Sequence, residues 1–154
     1  MDSNSSLILL GGIGHAKTEF YDELNSDLVK KCRFVENLSF STSMKDIDTK
    51  IIHHLYQHRR KNVAELIEKY EKLVKDGLTA KRNDVIHKAL EIGAVDTLIV
   101  SANYRTNSQF KKILKMLELA KNTSCKIEFA VSPKIIEKLD LDNSVLAILR
   151  YRIR

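Results

Sequence analysis

Short apolar runs and glycines divide the first third of the chain. LILL at 7–10, preceded by Ser6, is an apolar run bounded by glycines and predicts a buried strand over Ser6–Leu10. Gly11, Gly12 and Gly14 turn the chain. AKTEFYDEL at 16–24 then predicts a helix with Phe20, Tyr21 and Leu24 on its apolar side. CRFVENL at 32–38 predicts a second strand, closed by the polar residues that follow. Ser43 reads as the N-cap, with Asp46 in the first turn, of a long helix that ends at Gly77 in the C′ position. Its apolar stripe of Ile47, Ile51 and Leu55 stops at YQHRRKN and resumes at Val63, Leu66 or Ile67, Tyr70, Leu73 and Val74. A stripe broken in mid-helix predicts that the two ends serve different cores, with a boundary near His58 to Arg60. The expected domains are therefore 1–58 and 59–154.

After Gly77 helices and strands alternate. NDVIHKALEI predicts a helix closed by Gly93, and VDTLIV a strand rich in β-branched residues. SQFKKILKMLELAK predicts a helix with Phe110, Ile113, Leu114, Leu117 and Ala120 on one face and lysines on the other. KIEFAV predicts a strand that alternates Ile127, Phe129 and Val131 with polar or small residues. Ser132 and Pro133 open a short helix over IIEKL, by the N-cap and N1 preferences. VLAILRYRI predicts a last strand that ends by alternating Leu149, Tyr151 and Ile153 with Arg150 and Arg152. The expected class is α/β, with a three-layer sandwich of helices around a small sheet.

Composition narrows function only slightly. The 154 residues are 44% hydrophobic and 30% charged, as in ordinary globular proteins. No apolar run approaches the roughly 20 residues of a membrane span, and MDSNSS lacks a basic start, so a cytoplasmic protein without membrane contact is expected. Cys32 and Cys125 are too few and too far apart for a disulfide framework or a cysteine zinc site. The net charge of +6 permits RNA or a ribosome surface as partner, and lysine-rich solvated helix faces explain it equally.

The candidate chemistry is sparse. GGIGHAKT fits the phosphate-loop pattern G-x-x-x-x-G-K-[ST] except at Ala16, whose Cβ stands where the backbone must approach the ligand. His54 and His58 share a helix face, but no HExxH glutamate and no third ligand accompany them. With His53 they read as a solvated face, and no metal is expected. No G-x-S-x-G elbow and no paired acid and base stand out, so no catalytic residue is assigned. Two basic clusters offer phosphate contacts: Arg59, Arg60 and Lys61 in HRRK, and the terminal RYRIR. Their plainer reading is a solvated helix face and an edge strand guarded by charge.

KALEIGAVDTLIVS at 88–101, LAILRYRI at 146–153 and LILLGGIGHAKTEF at 7–20 resemble, in order, segments of one family. It is that of the class-1 peptide chain release factors of eukaryotes and archaea, with their ribosome-rescue paralogue Pelota. The resemblance implies that 1 to about 58 match the second half of a ribonuclease-H-like middle domain. It implies that 59–154 match a whole C-terminal αβα sandwich related to the kink-turn RNA-binding ribosomal proteins. Family members use these domains to dock a translational GTPase and an ABC-type recycling ATPase, besides the ribosome and its RNA. Gly-Gly-Gln, the family's peptidyl-tRNA hydrolysis motif, is absent, as are the codon-reading domain and the minidomain inserted in release factors. The passage from SANYRTN straight into a helix is Pelota-like, and the LRYR ending is release-factor-like.

The resemblance thus implies a translation factor, in termination or rescue, that binds without hydrolysing and needs no cofactor. The family's glycine-rich turn packs a helix on the sheet, which makes GGIGHAKT structural. Kink-turn relatives read RNA with an Asn-Glu pair, and alignment on Lys88, Ala89 and Leu90 places Asp84 and Val85 there; a register slip by one gives Asn83 and Asp84. The RNA or ribosome contacts so implied are Arg59, Arg60, Lys61, Lys81, Arg82, Asn83 and Asp84, and the partner-docking residues are Leu149, Arg150, Tyr151 and Arg152. Two alternatives stay open: a structured-RNA binding module, and a fragment or subunit of a complete hydrolysing factor. The strand at Ser6–Leu10, deprived of family neighbours, is expected to self-associate or to take a partner strand.

Overall fold

The computed structural model describes residues 7–153. Its elements are β1 (Ile8–Gly11), α1 (Ala16–Asp22), α2 (Ser26–Lys31), β2 (Cys32–Val35), α3 (Met44–Leu73), β3 (Thr79–Ala80), α4 (Asn83–Glu91), β4 (Val95–Ser101), α5 (Phe110–Asn122), β5 (Lys126–Ala130), α6 (Pro133–Leu141) and β6 (Val145–Leu149). Ser6 of the first expected strand lies outside the described residues. The chain divides into two compact units, Met1–His58 and Arg59–Arg154.

The first unit is a two-stranded parallel sheet, Ile8 pairing with Cys32 and Gly11 with Val35. Cys32 and Val35 are its buried hydrophobics among the described residues. The expected helix at 16–24 stops at Asp22, and a further helix, α2, follows, opened by Asn25, whose side chain accepts from Leu28 N–H. Tyr21 packs on Phe34 with ring centroids 5.0 Å apart, whereas Phe20 of the expected apolar side is 57% exposed. Ser43 does open α3: its Oγ accepts from Asp46 N–H and donates to the Asp46 carboxylate, 2.7 Å away. That reciprocal cap fixes where the helix begins.

The second unit is a four-stranded sheet in the order β3-β6-β4-β5. β4 and β5 are parallel, and β6 is antiparallel to both β3 and β4. On one face α4 and α5 pack Ile86, Ala89, Leu90, Ile113, Met116 and Ala120 against Leu98, Val100, Val145 and Ala147. On the other, Val63, Leu66, Ile67 and Tyr70 of α3 meet Leu139 of α6 over Ile99, Ala130 and Leu146. This is the three-layer sandwich expected from the alternation of elements. Met116, not Leu114, completes the buried face of α5, and Val74 is exposed.

The last strand departs from expectation. β6 stops at Leu149 and is an internal strand, buried at every residue, so RYRIR guards no edge. Internal position follows from β3, a two-residue strand too short to show in the pattern, which covers β6 on its outer side. The longer of the two edge strands is β5, where Lys126 and Glu128 pair at 3.3 Å. A charged pair on an edge discourages pairing with another chain.

Candidate functional site

The glycine-rich turn comes first because it mimics a phosphate loop. Gly14 takes φ of +71°, and a Cβ on Gly11 would stand 2.8 Å from Leu38 Cδ1. The positive φ favours glycine at position 14, and a side chain at position 11 would have to displace the end of Leu38. Lys17, which a phosphate would require, donates to Glu36 at 3.0 Å and lies over the Phe34 ring. Its charge is spent inside the unit. Along α3, His53 meets Gln57 at 2.8 Å, and no group of three metal-ligating side chains occurs among the described residues.

RYRIR also has internal work. Leu149, an expected docking residue, is only 4% exposed and its N–H donates to Leu78 O, so it belongs to the core and offers nothing to a partner. The next three residues are exposed but engaged. Arg150 donates to Gly93 O, Thr123 O and Ser124 O, Tyr151 to Ile92 O and Arg152 to Asp76 O. These carbonyls follow the ends of α4, α5 and α3, where four carbonyls per helix lack internal donors and the dipole favours cations. Arg154 lies outside the described residues.

The remaining candidates gather at the start of α4. An open groove of about 640 Å³ is lined by Arg82, Asn83, Asp84, His87, Lys88 and Glu91 from one side, with Gln109, Lys112, Lys115 and Asn143. Arg82 grips Asp84 in a two-pronged pair, Nε to Oδ1 at 3.1 Å and Nη2 to Oδ2 at 2.9 Å. The hydrogen bond from Arg82 holds the Asp84 carboxyl below its ordinary range. His87 Nδ1 sits 3.6 Å from Glu91. Lys88, Lys112 and Lys115 have no carboxylate within 4.0 Å among the described residues. The groove is therefore net positive.

Its floor contains an unmet demand. Asn83 is 8% exposed; its Nδ2 donates to Gln109 Oε1 at 2.9 Å, and its Oδ1 has no partner. A buried acceptor without a donor costs about 1–3 kcal/mol. Gln109 is held in turn, its N–H donating to Asn107 Oδ1, while Asn107 donates to Ser144 Oγ and Ser144 to Asp140. Asn143 and Ser144 both have positive φ, +68° and +67°. Val85, offered by the direct alignment, packs on the core instead, so the slipped register with Asn83 and Asp84 is the one facing the groove.

Lys81 pairs with Asp142 outside the groove. Arg59, Arg60 and Lys61 belong to α3 in the opposite layer, with Lys61 4.0 Å from Glu65, and do not join the groove. His87, Gln109, Lys112, Lys115 and Asn143 were not singled out by sequence. Gln109, Lys112 and Lys115 do repeat every third residue, which marks one helix face. Nothing local says that this face borders the start of α4.

Fold and groove define a class: an αβα sandwich with a basic, amide-floored groove at the start of its helices. No family model matches the chain. A Pelota homologue of Methanocaldococcus jannaschii is 35% identical over 118 residues, covering 72% of this chain and 34% of the relative. A peptide chain release factor subunit 1 of Saccharolobus solfataricus is 28% identical over 156 residues, 95% of this chain and 41% of the relative. Among solved structures, ribosome-bound archaeal Pelota, in a model with ABCE1, matches 95% of this chain and 43% of its own at 21% identity, with a TM-score of 0.72. Dom34 of S. cerevisiae, a translation termination-like factor interacting with Hbs1, matches 96% of this chain and 47% of its own at 15% identity, with a TM-score of 0.61. The chain belongs to the archaeal release factor and Pelota family, as the three sequence segments implied. It spans about a third to two-fifths of the length of these two curated relatives.

Proposed function

We propose that this chain is a translation-associated factor, in termination or ribosome rescue, that works by binding and not by hydrolysis. The carrying observation is the second unit's uninterrupted core, from Val63 to Leu149, in a sequence without Gly-Gly-Gln. A unit with its own enclosed core can serve as a docking body. A chain lacking the loop that positions water against the ester has no group for that step. Its partners in this reading are the ribosome and a translational GTPase or an ABC-type recycling ATPase, in the cytoplasm. Support comes from relatives: archaeal Pelota is described bound to the ribosome with ABCE1, and Dom34 as interacting with Hbs1. No helix among the described residues is long and apolar enough to cross a membrane. Arg59, Arg60, Lys61 and Lys81 remain ribosome contacts in this proposal, with the exposed Arg150, Tyr151 and Arg152 as docking residues.

The test is co-sedimentation with ribosomes and affinity capture from native lysate, scored for those two partner classes. Recovery of ribosomes with one of them is expected; recovery of neither overturns the reading. Release of peptide from peptidyl-tRNA by the purified chain alone would overturn the binding-only part. The first unit motivates one further element of the proposal. Among the described residues its two-stranded sheet has no further strand on either edge, and Phe40, Met44 and Ile52 are 96%, 72% and 65% exposed. Parallel sheets are normally covered on both faces. The chain therefore self-associates through this unit or takes strands from a second polypeptide, one that also supplies Gly-Gly-Gln if the hydrolysing activity is shared. Light scattering is expected to give a mass above the monomer, and a monomer at high concentration would refute self-association.

A further inference from the structure

We propose that the first unit holds a pocket for a small organic phosphate monoester, with Lys50 and His54 taking the phosphate and Phe34 the apolar body of the molecule. The pocket, about 410 Å³, lies between the end of β2 and the first half of α3, and the residues that line it all belong to the first unit. Its size falls in the range of small-molecule sites, about 300–1,000 Å³.

The first half of α3 is turned the wrong way round for a helix that only packs. Positions 47, 50, 51, 54 and 58 are half-buried, and the positions between them are exposed. A face that recurs every three or four residues is the one a helix lays on its own unit. Lys50 and His54 thus lie inward beside Ile47 and Ile51, while Ile52 and Leu55, the latter expected on the buried stripe, stand in water. Burial of apolar area favours the reverse, because polar and cationic groups carried inward cost free energy unless a partner meets them. Neither Lys50 nor His54 has a carboxylate within 4.0 Å among the described residues. Glu36 also lines the pocket, but Lys17 engages it at 3.0 Å. The anion is therefore left to a ligand.

Lys50 and His54 are one turn apart, so their side chains rise from the same stretch of wall. Asn37, at φ of +56°, adds an amide to the lining. A phosphate monoester presents three terminal oxygens, enough to accept from all three groups, and its charge strengthens each bond. Inorganic phosphate alone would leave most of the volume and the Phe34 ring uncovered. Phe34 is itself steadied by Tyr21, and His53, tied to Gln57, stands edge-on to His54 with ring centroids 6.2 Å apart. The ligand that fits both demands joins a phosphate to an apolar ring.

The experiment titrates the full ¹⁵N-labelled chain with phenyl phosphate and follows amide chemical shifts. Inorganic phosphate, phenol and a short RNA with a 5′-phosphate are the comparison probes. Shifts are expected at residues 34–37 and 49–54, with phenyl phosphate binding at least about tenfold tighter than phosphate or phenol. Lys50→Met, which keeps the stem and removes the charge, should weaken phenyl phosphate about tenfold, and Lys50→Arg should stay within about threefold of wild type. Without ligand, Lys50→Met should melt no lower than wild type, because an inward cation is gone. Phenyl phosphate should raise the melting temperature of wild type and leave that of Lys50→Met unchanged.

Shifts confined to the second unit, or none at about 10 mM, would overturn the proposal. So would equal binding of phosphate or phenol, or unchanged affinity in Lys50→Met. A melting temperature lowered by several degrees in Lys50→Met would make Lys50 a packing residue and overturn it too. Displacement of phenyl phosphate by the RNA at lower concentration would assign the pocket to a nucleic acid end instead of a small molecule. Ribosome co-sedimentation enters none of these outcomes, so this proposal and the translational reading stand or fall separately.

Discussion

The two units use similar residues to different effect. In the first, β1 and β2 pair in parallel, as β4 and β5 do in the second. Yet β4 is flanked by strands on both sides and by helices above and below, and its side chains from Leu98 to Val100 are fully buried. Among the described residues β1 has one neighbouring strand, and its own residues stay half-buried or exposed. An apolar strand is an asset only when other elements remove it from water, because stabilisation follows the area buried, at about 25 cal/mol per Å². By this measure the second unit encloses an extensive core, whereas the first buries only Cys32 and Val35 among the described residues.

Dividing the chain tests that contrast most severely. Residues 59–154 alone are expected to unfold cooperatively in urea, and residues 1–58 alone to show no cooperative transition by circular dichroism. A cooperative transition in the short piece would erase the distinction. Next in size, Leu90→Ala should cost the second unit about 3 kcal/mol, because the side chain is wholly enclosed, whereas Phe34→Ala in the half-covered first unit should cost about 1 kcal/mol. Chemical denaturation of both variants gives the ratio.

Smaller effects sharpen the picture of the second unit. Arg150→Met removes the donor shared by the carbonyls that follow α4 and α5, and should lower stability by about 1 kcal/mol without changing the fold. Smallest is a pH effect. Partial burial pushes the Cys125 thiol from its ordinary 9.0 up to about 11. The folded pKa is the higher one, so its contribution is complete below about pH 9 and lost as pH rises toward 11. Discounted for the partial exposure of the thiol, the loss should be near or below about 1 kcal/mol. Comparing wild type with Cys125→Ser between pH 8 and 10.5 checks it: only the wild type should lose this increment.

Sequence alone carried the layering of the second unit, because the alternation of 3.6-residue and two-residue periods records which side of each element is buried. The interrupted stripe of α3 separates Ile51 from Val63, and the division into two compact units falls between them, at His58 and Arg59. Sequence did not carry the length of β6. Leu149, Tyr151 and Ile153 alternate with arginines as a strand would, but the arginines turn away to cap helix ends that lie far off in sequence. Nor did it carry the groove. Asn83 was visible as a residue at a helix start, but its missing donor, its tie to Gln109 and the lysines beyond it exist only once α4 and α5 lie side by side. Local periodicity reports what each segment shows to water, and it is fixed by neighbours three or four residues away. Which elements become neighbours is decided by the packing of the whole domain, and the chemistry of the groove arises from that packing.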